Sequence, residues 1–192
     1  MKLKAIALGA VMALGAAAGA QAATTTYYAN STGPFTLGCA VNGILNNNCS
    51  VTTSSSGAGV SGNPDTNPYE IDNFPLSSET LIVTFDTGVI LESFYLGNFD
   101  RNDDYEFSLN GGAFSGVTTD NPNIVGQYVT SFAIRASYDL SDANFFDGGF
   151  LGDDNFTLKK FTVTTVPLPA GGLLLLGGIG SLAALRRRKK AA

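Results

Sequence analysis

Leu81-Ile82-Val83-Thr84-Phe85 decides the fold. Successive side chains of an extended strand point to opposite faces. Leu81, Val83 and Phe85 therefore share one face, with Ile82 and Thr84 on the other. The same period of two returns further along the chain. Tyr105, Phe107 and Leu109 alternate with Glu106 and Ser108. Phe132, Ile134, Ala136 and Tyr138 alternate with Ala133, Arg135 and Ser137, and Phe161, Val163 and Thr165 repeat the pattern. These segments read as half-buried antiparallel strands. Val89 to Leu96 is more continuously apolar and reads as a central strand. No useful length of the middle carries a helical heptad pattern.

Turn signals separate the runs. Asp86-Thr87-Gly88 suggests a tight hairpin, and Asn110-Gly111-Gly112 is the strongest local hairpin signal. Asp147-Gly148-Gly149 and Gly152-Asp153-Asp154 bound a last strand, Asn155 to Thr165. Thr53 to Asn67, rich in Ser, Gly, Asn and Pro, reads as a long loop, and Asn46-Asn47-Asn48 as a loop tip. About eight or nine short strands with Gly-rich turns predict an all-β domain, an antiparallel β-sandwich of jelly-roll type, built on one core. A single-layer β-helix is the second choice, but no repeat of fixed period supports it.

The chain has 192 residues and a formal net charge of -5, with no His and no Trp. Without His there is no Ser-His-Asp triad and no His zinc ligand. All 16 acidic residues lie between Asp65 and Asp154, whereas Arg101, Arg135, Lys159 and Lys160 are the only basic residues between Lys4 and Arg186. The middle of the chain thus carries four positive charges against 16 negative ones, a net of -12. Such a domain repels nucleic acid and anionic membrane surfaces, while cations and neutral polar ligands such as sugars remain open.

The two ends read as addresses. Lys2 and Lys4 precede an apolar run from Ala5 to Ala18, and Ala20-Gln21-Ala22 supplies small residues at -3 and -1 for a cut before Ala23. An uncleaved anchor is the alternative, but the run is short and weakly hydrophobic for one. At the other end Leu168 to Leu185 is an apolar stretch of 18 residues. As a helix it would reach roughly 27 Å, enough for a thin bilayer. Arg186, Arg187, Arg188, Lys189 and Lys190 follow at once and would resist translocation. The predicted organisation is a signal peptide over residues 1–22, an extracytoplasmic domain over 23–165, and a membrane-spanning tail over 166–192.

Val166-Pro167-Leu168-Pro169-Ala170, the apolar segment Gly171 to Leu185 and the basic end Arg186 to Lys190 occur in fixed order. This tail resembles the VPLPA variant of the PEP-CTERM sorting signals. No Pro-Glu-Pro is present, and the all-apolar variant does not require one. The resemblance implies export in a Gram-negative bacterium. It further implies signal peptidase and an exosortase-like transpeptidase as partners, with transient insertion in the inner membrane. Cutting near the Pro-containing motif would then leave the protein at the cell surface or in an exopolysaccharide matrix.

Cys39 and Cys49 are the only cysteines, ten residues apart. In an exported chain they are expected to form a disulfide, the alternative being two packed thiols. Asn98, Asp100, Asn102 and Asp104 recur at every second residue, a spacing that in a tight loop can turn oxygens inward toward calcium. Asp100, Asn102 and Asp104 would hold one structural Ca2+, with Asp153 or Asp154 contributing from the next strand end. The plainer reading is that these residues make turns and keep the surface wet. The segment is not an EF-hand, since the sixth-position Gly and twelfth-position Glu are missing.

No feature singles out two of the 16 acidic residues as a glycosidase pair. The glycine pairs lack the Gly-Lys-Ser/Thr of a phosphate loop. A noncatalytic role is therefore expected, either structural or as a carbohydrate-binding module. Tyr27, Tyr28 and Tyr69 are the freer candidates for sugar contact. Tyr95, Tyr105 and Tyr138 fall at strand positions where core packing is expected.

Overall fold

The computed structural model describes residues 21–45, 48–62, 67–73, 78–101, 103–137 and 154–167. Thr24–Thr165 forms one compact unit. Its strands are β1 (Thr24–Tyr28), β2 (Phe35–Val41), β3 (Ile44–Leu45), β4 (Ser50–Thr53), β5 (Ala58–Ser61), β6 (Ile71–Asp72), β7 (Glu79–Gly97), β8 (Tyr105–Leu109), β9 (Asn123–Ala136) and β10 (Asn155–Thr165). Every pairing is antiparallel. The all-β, antiparallel expectation holds. The architecture is a curled, six-stranded half-barrel in the order β3-β2-β7-β10-β5-β4, and β1, β6, β8 and β9 pair along its flanks.

β7 is the spine. Its first half, Glu79–Phe85, pairs with β2, and its second half, Val89–Gly97, pairs with β10. β9 runs along the opposite edge of both halves. Leu81, Val83, Phe85, Val89 and Leu91 point into the core, as the alternation predicts. The inward set then switches to Phe94 and Leu96, because the register shifts between Leu91 and Ser93. One extra residue in a strand reverses which parity faces inward.

Asp86-Thr87-Gly88 is not a hairpin. The strand runs through it, and the ladder to β9 shifts between Thr84 and Val89. Asp86 N–H donates to the Pro34 carbonyl at 3.1 Å, so the segment stays hydrogen-bonded. Gly88 lies against the Tyr128 ring, where a Cβ would overlap the phenol oxygen. This glycine serves a close approach between neighbouring strands, not a reversal of direction.

Asn110-Gly111 does make the expected turn, with φ of 53° and 68°. Gly112 N–H donates to Leu109 O at 2.9 Å, and the returning chain bonds to β8 at Ser115 and Thr118. Positive φ at both central residues matches the twist of a two-residue hairpin. Asn42-Gly43, at φ of 51° and 77°, makes the same kind of turn between β2 and β3, a signal the sequence reading passed over.

The stretch expected as a long loop, Thr53 to Asn67, is a second correction. It contains β5, whose Ala58 and Val60 are wholly buried. Gly59 packs so closely on the Tyr69 carbonyl that a Cβ would overlap it. The Ser/Gly composition that suggests a loop here reflects tight backbone contact instead.

The core is one cluster. Phe161 is at its centre, ringed by Tyr27, Phe35, Phe85 and Phe132 at centroid distances of 5.0–5.9 Å. Phe94 links this group to Tyr105, which meets Phe99 and Phe156. Cys39 in β2 is disulfide-bonded to Cys49, just before β4, as the cysteine reading expects. The bond joins β2, second in the six-stranded order, to the residue before β4, last in that order.

Candidate functional site

The acidic loop predicted to hold calcium is described at Asn98, Asp100 and Asp104. Asn98, at φ 55°, turns its side-chain amide to Glu70 Oε1 at 2.6 Å. Asp100 donates its backbone N–H to Asp103 Oδ2 at 2.5 Å, and its side chain is exposed. Asp104 is buried and donates its N–H to Asp154 Oδ1 at 2.9 Å. Among the described members of the predicted set, Asp104 and Asp154 are joined by this hydrogen bond. Asn102 and Asp153 lie outside the described residues. Among the described residues, no group of three or more His, Cys, Asp or Glu is placed to hold a metal ion. Asn98 itself sits at positive φ, with its amide on Glu70.

The chain instead buries a set of carboxylates that the spacing did not reveal. Glu70, Asp72, Glu79, Asp103, Asp104 and Asp154 are all buried, with Asn73 among them. Three of them accept hydrogen bonds from backbone N–H groups in the described structure. Asp103 Oδ1 accepts from Asn155 N at 3.2 Å, and Glu79 Oε2 from Asp72 N at 3.2 Å. Asn73 donates to Asp154 Oδ2 at 3.0 Å and to the Ser137 carbonyl. Glu70 also accepts from Asn67 Nδ2. Glu79, Asp103 and Asp154 in this way bond main-chain N–H groups near strand ends, work that main-chain groups do inside a ladder.

Burial pushes the Asp103 carboxyl up to about 6, against the pull of its two backbone hydrogen bonds and with the Asp100 and Glu70 charges adding to the rise. Burial likewise pushes the Tyr105 phenol up to about 12. Its hydroxyl donates to Asp120 O at 2.5 Å and accepts from Asn123 Nδ2 at 3.0 Å.

A different arrangement occupies the outward face of β1, β10, β7 and β9. Residues in register share a face, and three rows cross it. Thr24, Thr164, Ile90 and Tyr128 make the first, and Thr26, Thr162, Ser93 and Ile124 the second. Tyr28, Lys160 and Tyr95 make the third. The hydroxyls of Thr24 and Thr164 are 2.8 Å apart, and those of Thr26 and Thr162 are 2.9 Å apart. Lys160 Nζ stands 5.4 Å from the Tyr95 ring centroid. Tyr28, Tyr128 and Ile124 are exposed, at 53%, 58% and 77%.

Tyr95 therefore departs from its expected core position and lies half-buried on the outer face. Tyr105 is fully buried, as expected. Tyr27 packs on the core, Tyr69 is exposed, and Tyr138 lies outside the described residues. The signal for this face was present in the sequence: Thr24-x-Thr26-x-Tyr28 and Lys160-x-Thr162-x-Thr164 both alternate.

Val166 and Pro167 follow β10 directly, while Leu168, Pro169, Ala170 and Arg186 to Lys190 lie outside the described residues, as do residues 1–20 of the leader. Among the described residues, no helix is long and apolar enough to cross a membrane. The chain matches no family model, no curated protein and no solved structure.

Proposed function

We propose that the chain is an exported, noncatalytic structural protein of the cell surface or exopolysaccharide matrix. In this reading signal peptidase removes residues 1–22, and an exosortase-like transpeptidase acts at Val166–Ala170 while Arg186 to Lys190 hold the tail inside. The observation that carries it is the Cys39–Cys49 disulfide. Structural disulfides persist in oxidising compartments outside the cytoplasm. The pairing of Thr24 with Thr164 supports the same reading, because the first and last strands of the unit run side by side. A precursor held at both ends would then meet the membrane from one end of one strand pair.

The finer architecture we propose is a jelly-roll-like sandwich. It is supported by the change of partner along β7, from β2 over Glu79–Phe85 to β10 over Val89–Gly97, across the register shift between Thr84 and Val89.

The alternative role is a carbohydrate-binding module for matrix polysaccharide. The Tyr28–Lys160–Tyr95 row favours it, since rings on an outward sheet face are the groups such a module uses.

Intact mass of the protein recovered from cells and medium of a Gram-negative host tests the processing. Loss of Met1–Ala22 and of Arg186–Ala192 is the expected result. Recovery of the basic tail on most mature molecules would contradict tail processing.

A further inference from the structure

We propose that the outward face of β1, β10, β7 and β9 docks an uncharged, extended, β-linked polysaccharide chain, with Tyr28 and Tyr95 as its stacking platforms. The proposal rests on the carbohydrate-binding alternative above and names the surface and the class of polymer.

Charge chooses the occupant. The domain carries 16 acidic residues, yet the three rows hold eleven residues and one charge, Lys160. An anionic polymer lying here would face repulsion from the rest of the domain, and a cationic one would be drawn to the acidic surface elsewhere. An uncharged polymer meets neither effect.

Geometry chooses the shape. Tyr28 and Tyr95 flank Lys160 on the two neighbouring strands. Two inter-strand spacings put their Cα atoms roughly 9.5 Å apart, close to the advance of two sugar units in an extended chain. Sugar rings in such a chain present flat C–H faces that suit aromatic rings. The threonine hydroxyls of the neighbouring rows, each still able to accept a hydrogen bond, lie beside that path. Lys160 Nζ, 5.4 Å from the Tyr95 centroid, is carried on a flexible stem that can swing off the ring as a sugar stacks, and it adds donors without requiring a charged partner. A coiled, α-linked chain could not reach both rings in one pass.

The test is affinity electrophoresis of the full chain, purified in detergent from bacterial envelopes, through native gels containing hydroxyethylcellulose, dextran or alginate. Hydroxyethylcellulose is expected to retard it, and dextran and alginate are not. Tyr28→Ala should weaken the retardation by about tenfold, whereas Tyr69→Ala, which removes an exposed ring away from this face, should leave it unchanged. Tyr28 is an exposed residue of a flanking strand, and an unchanged melting temperature shows that the variant is folded.

Free migration in hydroxyethylcellulose overturns the proposal. Equal retardation by dextran overturns the extended-chain requirement. Retardation by alginate alone, abolished by Lys160→Gln, makes the face a charge site. Concentration-dependent self-association relieved by Ile124→Lys makes a second copy of the chain the occupant. All of these outcomes are read on purified protein, so they stand apart from the intact masses that test export and processing.

Discussion

Thr24 lies directly opposite Thr164, with their hydroxyls 2.8 Å apart, so the first strand of the domain closes on the last. Beneath that pair, Tyr27 and Phe161 are in register, with ring centroids 5.9 Å apart. Phe161 also meets Phe35, Phe85 and Phe132. Phe161→Ala removes the hub of this cluster and should cost about 3–5 kcal/mol. Denaturant unfolding would measure it, and a loss below about 1 kcal/mol would mean the cluster is not the core's centre.

Gly59→Ala should destabilise by about 1–3 kcal/mol, although alanine is small and apolar. The added methyl would run into the Tyr69 carbonyl, a main-chain group that cannot swing aside. A shift in melting temperature checks this, and an unchanged value would return Thr53–Asn67 to the status of a loose loop.

These two residues show what the sequence made legible. Phe161 stands in Asn155–Thr165, whose limits were readable because alternation and a preceding acidic turn coincide there. Leu81–Phe85 and Phe132–Ala136 were readable for the same reason of period. Gly59 and Gly88 were not. Glycine reads as a turn residue from composition, and only tertiary contact reveals that it makes room for another chain segment. The buried carboxylates were harder still. Glu70, Asp72 and Glu79 come from a connection, the end of β6 and the start of β7, with no spacing to link them. The acidic loop had such a spacing, yet the spacing did not reveal that Asn98 bonds Glu70 or that Asp104 bonds Asp154.

Asp103 should make stability depend on pH between about 4 and 6. Its carboxyl is raised from 3.8 to about 6 in the folded protein. The folded state therefore holds the proton more tightly than the unfolded chain. The resulting stabilisation is complete below pH 3.8 and is lost as pH rises through about 6. The melting temperature of Asp103→Asn, which cannot titrate there, should fall less than that of the parent across this window. Parallel profiles would remove Asp103 as the source.

Chelation separates the two readings of the acidic residues. The buried carboxylates accept hydrogen bonds from Asp72, Asp104 and Asn155 backbone N–H groups. If those bonds are what order the loops, EDTA should leave the melting temperature unchanged. A fall on chelation, restored by added calcium, would revive the Asp100–Asn102–Asp104 site.

Export of the disulfide-closed domain is tested most directly by the state of Cys39 and Cys49 in cells. Intact spheroplasts of the native host would be treated with external protease and, in parallel, with a maleimide-polyethylene glycol reagent before and after reduction. The expected result is a domain digested or released from outside, its two cysteines unlabelled until a reductant is added. A protease-protected domain with both thiols free to label without reductant, still joined to Met1–Ala22, would place it in the cytoplasm and contradict the proposed function.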